Sequence, residues 1–234
     1  MPVPVVLVHG LRGRAADLLP QRRALEEAGH VVASPDLPGH GAHQRDVFSI
    51  GGSLLAIADA AQSLPSAPVL VGFALGAHLS IACAAVTGGI TGILAIGCGT
   101  QALTWLLDSY RIASQSHQLL PDKGAALSSL AATTFIGGVP RHTRTSVPGQ
   151  FLDTLAHLEA LDTPASLAKV EAPVVLLNGQ WDRFRMQERA FLVATRDGRL
   201  VRQPGVRLAG RVRRPADTNL LIEKILSGMA VPAQ

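Results

Sequence analysis

Residues 67–77 read APVLVGFALGA. An apolar run, Val69 to Val71, closes on Gly72, passes through Phe73 and Ala74, and turns at Leu75-Gly76 into a second apolar stretch that reaches Val86. A short apolar run bounded by glycine reads as a strand buried on both faces. Glycines on either side of a sharp bend let strand pass directly into helix. The segment is therefore a strand, a tight turn centred on Ala74, and a helix over 75–86. The same alternation extends in both directions. Residues 4–8 (PVVLV) read as a strand ending at His9-Gly10, followed by a helix from Leu18 to Ala28 that Gly29 closes. Residues 30–34 (HVVAS) read as a strand running into the loop PDLPGHG, Pro35 to Gly41. A helix over 50–63 and a strand over 90–96 (ITGILAI) complete this half.

From Gln101 to Leu167 no strand run appears. The pattern predicts helices at 102–119, 122–135 and 148–160, broken by Gly137-Gly138 and Pro140. After Pro173 the alternation returns: a strand at Val174–Leu177, a helix at Gln187–Thr195, a strand near Leu200–Gln203 and a last helix at Pro215–Leu226. Alternating strands and helices build a parallel sheet covered on both faces. The expected organisation is a core of residues 1–100 and 168–234, with residues 101–167 inserted as a helical cap.

The chain has 234 residues, 47% hydrophobic and 16% charged, which excludes wholesale disorder. No window approaches the roughly 18 apolar residues of a spanning helix. Residues 1–10 lack the basic start and cleavage site of a signal peptide. Cys83 and Cys98 sit in apolar stretches and read as reduced core residues. A cytoplasmic location is expected, with no membrane contact. Net charge is +4, unevenly spread: residues 183–214 hold ten arginines against Glu188 and Asp197, a local +8 that leaves −4 for the remainder. Such a segment is a solvated surface or a landing site for an acidic partner such as a carrier protein or a phosphorylated ligand. It has neither the interleaved aromatics nor a motif of nucleic-acid binding. No histidine, cysteine or carboxylate cluster has metal-ligand spacing. Gly10-Leu11-Arg12-Gly13 lacks the Lys-Ser/Thr ending of a phosphate loop. No cofactor is expected.

Three stretches together resemble the α/β-hydrolase fold. LVHG (Leu7 to Gly10) followed by PDLPGHG is one; Val71-Gly72-Phe73-Ala74-Leu75-Gly76-Ala77 is similar to the strand–elbow–helix turn G-x-S-x-G; LLNGQWD (Leu176 to Asp182) is similar to the strand end that carries the triad acid. The resemblance implies an α/β fold: a mostly parallel doubly wound sheet of the α/β-hydrolase type with a helical cap insertion. The chain departs from the family at the elbow, where Ala74 stands in place of serine. Family members often read P-G-x-x-H-x-x-x-x-x-R-P after the last strand. Here Pro204 to Pro215 keeps that register and puts Leu208 at the histidine position. The last histidine is His157, and of the triad only the acid position remains, as Asp182. A methyl group cannot attack a carbonyl. An engineered serine-to-alanine replacement would explain Ala74 but not Leu208.

What the resemblance still implies is an oxyanion hole from the backbone N–H groups of Leu11 and Leu75. A cap pocket would lie over it, with Trp105 and Tyr110 as walls and Ala74, His9, Trp181 and Leu208 at the substrate. Three side chains are candidates for chemistry. Asp182, the acid position without its histidine, is a candidate general base, or an ion-pair partner of Arg183, Arg207 or Arg211. His78, one turn beyond the elbow, is a base or a packing residue. Arg207 is a binder of carboxylate or enolate, or a plain surface arginine. His9 and His40 are expected to shape loops; His117 and His142 are unassigned. The resulting expectation is an enzyme repurposed for non-hydrolytic chemistry, of cyclase, lyase or isomerase type, on a small carbonyl compound. Arginine outnumbers lysine 18 to 3, which points to a high-GC bacterium, where such relatives serve specialised metabolism. The rival expectations are a non-catalytic ligand- or partner-binding protein and an ordinary ester hydrolase with an engineered elbow. An imidazole in bonding contact with some other hydroxyl or thiol would return the chain to hydrolysis.

Overall fold

The computed structural model describes residues 2–11, 13–101, 157, 160–182, 185–205 and 215–229. β1 (Val5–Val8) is followed by a 3-10 turn (Ala15–Leu18), α1 (Leu19–Glu27) and β2 (Val32–Ala33). A second 3-10 turn (Gly41–His43), α2 (Ile50–Gln62), β3 (Val69–Phe73), α3 (Leu75–Thr87) and β4 (Gly92–Ile96) come next. Further along the chain stand α4 (Thr163–Leu167), β5 (Val174–Gly179), α5 (Glu188–Ala194), β6 (Gly198–Gln203) and α6 (Pro215–Met229). The strands form one sheet in the order β2-β1-β3-β4-β5-β6. Every neighbouring pair is parallel.

β1, β3, β4 and β5 are buried along their whole length. Their side chains alternate between two apolar layers, as period-2 geometry requires. Val6, Val8, Leu70, Ile93 and Leu176 face α2, α3, α4 and α5, where Ile57, Leu79, Leu167 and Phe191 complete the layer. Val5, Leu7, Val69, Val71, Leu94 and Leu177 face α1 and α6, against Leu25, Ile222 and Leu226. Burial on both faces explains why these strands read as unbroken apolar runs.

Local signals set the boundaries. Ser49 caps α2 by accepting the Gly52 N–H at 3.1 Å, and Asp162 caps α4 by accepting the Ala165 N–H at 3.0 Å. Gly29, at φ 91°, ends α1. The structure begins the first helix with a 3-10 turn and shortens the second strand to two residues at the sheet edge. α4 lies where no helix was expected, and its Leu167 joins Leu161 in the core beside α3. The expected cap helices lie outside the described residues, apart from His157, which is helical. Both cysteines are buried and unbridged. Among the described residues no helix is long and apolar enough to cross a membrane.

The crossing of β3, α3 and β1 is the tightest part of the molecule. A Cβ placed on Gly72 would lie 2.5 Å from the Ala77 backbone, and one on Gly76 would lie 2.5 Å from His9 O and closer still to Val8 O. Backbone cannot yield there as a flexible side chain would. Gly72→Ala and Gly76→Ala are each expected to destabilise the protein by about 3 kcal/mol or more, at the upper end of overpacking costs. Urea denaturation measures the loss; a change within 0.5 kcal/mol, about the range of surface substitutions, would contradict the described crossing.

Candidate active site

Ala74 stands between β3 and α3 with φ 49° and ψ −110°, and is the one non-glycine residue with positive φ among those described. Such a conformation costs roughly 1–3 kcal/mol at a residue with a Cβ. The surrounding backbone holds it there: the Ala74 N–H donates to Ile96 O at 2.8 Å, and the Ala77 N–H donates to Ala74 O at 3.0 Å. The turn presents the first residues of α3 at the carboxyl end of the parallel sheet, where ligands bind in open α/β folds. The Leu75 N–H is one of the donors a helix start leaves unused. Among the described residues neither it nor the Leu11 N–H has an intramolecular acceptor. Gly10 brings the second donor close, since a Cβ there would lie 3.1 Å from Phe73 O and 3.7 Å from the Ala74 methyl.

The loop bearing Leu11 is held by two histidines in tilted contact, His9 and His40, with ring centroids 5.1 Å apart and planes at 48°. His9 is 1% exposed. Its Nδ1 donates to Gly10 O at 2.9 Å and its Nε2 accepts the Leu37 N–H at 3.1 Å, which fixes a neutral tautomer. Burial pushes its pKa down to about 4. His40 reaches across to Leu11 O at 2.6 Å and Pro38 O at 3.0 Å. Asp36 accepts the Ala15 and Ala42 N–H groups at 2.7 and 2.8 Å. His40 of PDLPGHG thus braces the loop that bears Leu11, and His9 ties the same loop to Leu37.

His78 is half-buried in the first turns of α3. Its Nδ1 lies 2.7 Å from Thr163 Oγ1, and Phe191 packs edge-on with its centroid 6.0 Å away. Cys98 Sγ is 3.7 Å from Nδ1 and 3.6 Å from Nε2. A thiol aligned with the lone pair of one nitrogen would be much farther from the other. Near-equal distances place the sulfur over the face of the ring, where no proton passes along a hydrogen bond. Burial lowers the His78 pKa to about 4 and raises the Cys98 thiol well above its ordinary value, so both rest neutral at pH 7. The structure therefore does join an imidazole to a thiol and a hydroxyl, but not as nucleophile and base. Cys98 is fully buried and Thr163 is 2% exposed, beyond the reach of a substrate carbonyl.

Asp182 is 6% exposed, and its Oδ2 accepts the Gly179 N–H at 2.6 Å. It closes the turn after β5. Its expected partners Arg183, Arg207 and Arg211 lie outside the described residues, as do Leu208, Trp105, Tyr110, His117 and His142. Trp181 is 59% exposed. A carboxylate that sequence reasoning did not single out organises this end of the sheet. Glu188 is 4% exposed; it takes two N–H groups of Arg202 at 2.8 and 2.9 Å, the Asn178 amide at 3.1 Å and Arg185 at 3.4 Å. The alternation of charge at 185, 188 and 202 was its only signal in the sequence. A cleft of about 350 Å³ opens at the opposite end of β3 and α3, by Ala58, Pro68, Cys83 and Thr87. It has no part in the elbow. Among the described residues no three histidine, cysteine or carboxylate side chains could share a metal ion.

The elbow, the donor loop and the turn after β5 occupy the positions that define an α/β-hydrolase architecture. A sequence profile of the Alpha/beta hydrolase family matches residues 5–218, and the chain belongs to that family. Over 46 residues it is 44% identical to a thermostable monoacylglycerol lipase of Bacillus sp. (strain H-257). That match spans 20% of this chain and 18% of the lipase. Among solved structures it resembles a thermophilic esterase from Thermogutta terrifontis, with TM-score 0.76 at 18% identity over 99% of this chain and 92% of that one. It also resembles a bromoperoxidase from Bacillus anthracis, with TM-score 0.79 at 18% identity over 97% and 92% of the two chains. At these identities the structural likeness establishes the fold.

Two outcomes follow. Ala74→Gly removes the strained Cβ and puts a better residue at the helix N-cap, so it should stabilise the protein by about 1 kcal/mol in urea denaturation; a loss of stability would contradict the strain. The second concerns pH. Unfolded, His9 and His78 take up protons near their ordinary value of 6.5; folded, near 4. The unfolded state then binds more protons between these values, so their contribution is intact above 6.5 and is lost as the pH falls toward 4. The urea midpoint should drop between pH 7 and 5, and His78→Asn should flatten that drop. Equal midpoints would contradict the neutral assignments.

Proposed function

We propose that this protein is an α/β-hydrolase-fold enzyme with a degenerate triad, and that it works on a small carbonyl compound without an acyl-enzyme. Cyclisation, elimination and isomerisation share one need that this site fits: stabilising negative charge on a carbonyl oxygen as an enolate forms or adds. The observation that carries the reading is the alanine held at the elbow beside two unused N–H donors, Leu11 and Leu75. Donors of this kind stabilise an oxyanion whether or not a serine made it, and each is worth roughly 3 kcal/mol in related sites. Leu208, at the sequence position of the missing histidine, supports the same reading. His78 is the acid–base candidate on α3, four residues beyond the elbow. Its Nδ1 is tethered by Thr163, and the described contact of Nε2 is Cys98 Sγ at 3.6 Å, over the ring face. A neutral imidazole so placed can take a proton from the carbon next to a carbonyl. Asp182, tied to the turn after β5, supports the scaffold in this reading, and Arg207 binds the anionic end of the substrate.

Hydrolysis is the second reading, because the named relatives include a lipase and an esterase. The two separate cleanly. Incubated in D2O with a small β-dicarbonyl compound, the native protein should speed deuterium exchange at the α-carbon. His78→Asn should cut that rate by about 10²-fold or more, the typical worth of a general base. With p-nitrophenyl acetate it should match buffer, whereas Ala74→Ser with Leu208→His should gain measurable turnover. An acyl adduct on the native chain in mass spectrometry, or exchange no faster than buffer, would overturn the proposal.

A further inference from the structure

α5 packs Phe191, Leu192 and Ala194 into the core. Its outer face is bare. Arg189, Ala190 and Val193 are exposed, Val193 at 85%, and Met186 at 69% extends the line from the turn before the helix. Residues three and four apart share one helix face, so Ala190 and Val193 lie side by side on α5, and Met186 in the turn that leads into the helix adds a third exposed apolar side chain to this stripe. Cations border it. Arg185 and Arg202 are anchored by the buried Glu188 carboxylate, and Arg196 by Ala168 O at 3.0 Å and Glu171 at 3.3 Å. Arg189 and Arg199 are exposed, with no carboxylate partner among the described residues. Glu188 and Glu171 are consumed by these pairs, which leaves Asp197 as the one acidic group of 185–202 not so engaged. The face is stitched to the loop after β4: the Met186 N–H donates to Thr100 Oγ1 at 3.0 Å, the Gln187 N–H donates to Gly99 O at 2.7 Å, and Gln187 Oε1 accepts the Gln101 N–H at 2.8 Å. It therefore stands on the carboxyl side of the sheet, where the chain leaves for the cap segment.

We propose that the outer face of α5 docks a partner protein that presents an acidic amphipathic helix. The charge pattern selects this occupant. A second copy of the chain would set arginines against arginines. Nucleic acid would leave Met186 and Val193 without apolar contacts, and the stripe offers no aromatic ring for a base to stack on. An acidic helix covers the stripe with apolar residues and meets the border with carboxylates, the helix-in-groove pattern with complementary charge. Pre-set arginines lose little freedom on binding, which favours affinity. The inference is independent of the reaction proposed above.

The test uses the full chain and a fluorescein-labelled, hydrocarbon-stapled helical peptide with a Leu–Met stripe bordered by glutamates, read by fluorescence anisotropy. Saturable micromolar binding is expected, and it should weaken about tenfold or more as salt is raised well above physiological levels. The variant Arg189→Glu with Val193→Glu changes two exposed side chains and should keep the native melting temperature while losing at least about tenfold in affinity. Val86→Glu, at a site 77% exposed on α3, should bind as the native chain does. No saturation at millimolar peptide, or equal affinity in the double variant, would overturn the proposal. So would loss, in that variant, of sedimentation with phosphatidylglycerol vesicles that the native chain binds without binding peptide, since the face would then belong to a membrane surface.

Discussion

Three backbone segments meet at the end of β3 with no room for side chains between them. Gly72 lies against the Ala77 backbone, Gly76 against the carbonyls of Val8 and His9, and Gly10 against Phe73. Because neither α3 nor β1 can retreat, the residue joining β3 to α3 must take a positive φ, and Ala74 does so at a cost that packing elsewhere sustains. The same crossing aims the start of α3, with its unused N–H groups, at the mouth of the sheet. It also brings the loop after β1 alongside. The remaining features of the site follow from that placement: the His40 brace under Leu11, the Asn178–Glu188 contact at the end of β5, and the closure of the next turn by Asp182.

An elbow of this shape is expensive to keep for packing alone, since a strand and helix can be joined by an unstrained loop. In family members with a serine, the strain exposes a nucleophile. Here it exposes a methyl group flanked by donors. Under the proposed function such a site works by charge stabilisation and orientation, which a neutral histidine would fit better than an imidazolium. The lipase and esterase are among the proteins this chain is similar to, and under the proposed function position 74 is where it would part from a serine-dependent route.

The fold was legible in the sequence because its central strands are buried on both faces and punctuated by glycine and proline; β1, β3, β4 and β5 fall within a residue or two of where the apolar runs place them. β2 was overestimated, since two pairing residues at a sheet edge leave little pattern. α4 was missed: five residues starting Thr163-Pro164 are too short for a helical period, though Asp162 before them is a cap signal that could have found them. The elbow was legible in the residues around Gly72 and Gly76, and its donors only through the resemblance to the α/β-hydrolase fold. The contacts that join distant segments were not, because nothing in the spacing of His78, Cys98 and Thr163, or of Glu188 and Arg202, announces that the sheet brings them together. Nor does the sequence announce that Asp182 Oδ2 accepts the Gly179 N–H at the end of β5.

The proposed oxyanion site is tested most directly by an amide NMR titration of the native protein with acetate, a small planar oxyanion. If the backbone donors form the working site, the Leu11 and Leu75 amide protons move downfield together, saturably and with one dissociation constant, while amides lining the far cleft near Pro68 stay still. If those two amides do not respond, or respond no more than the rest of the chain, the elbow is only a packing feature and the account is wrong.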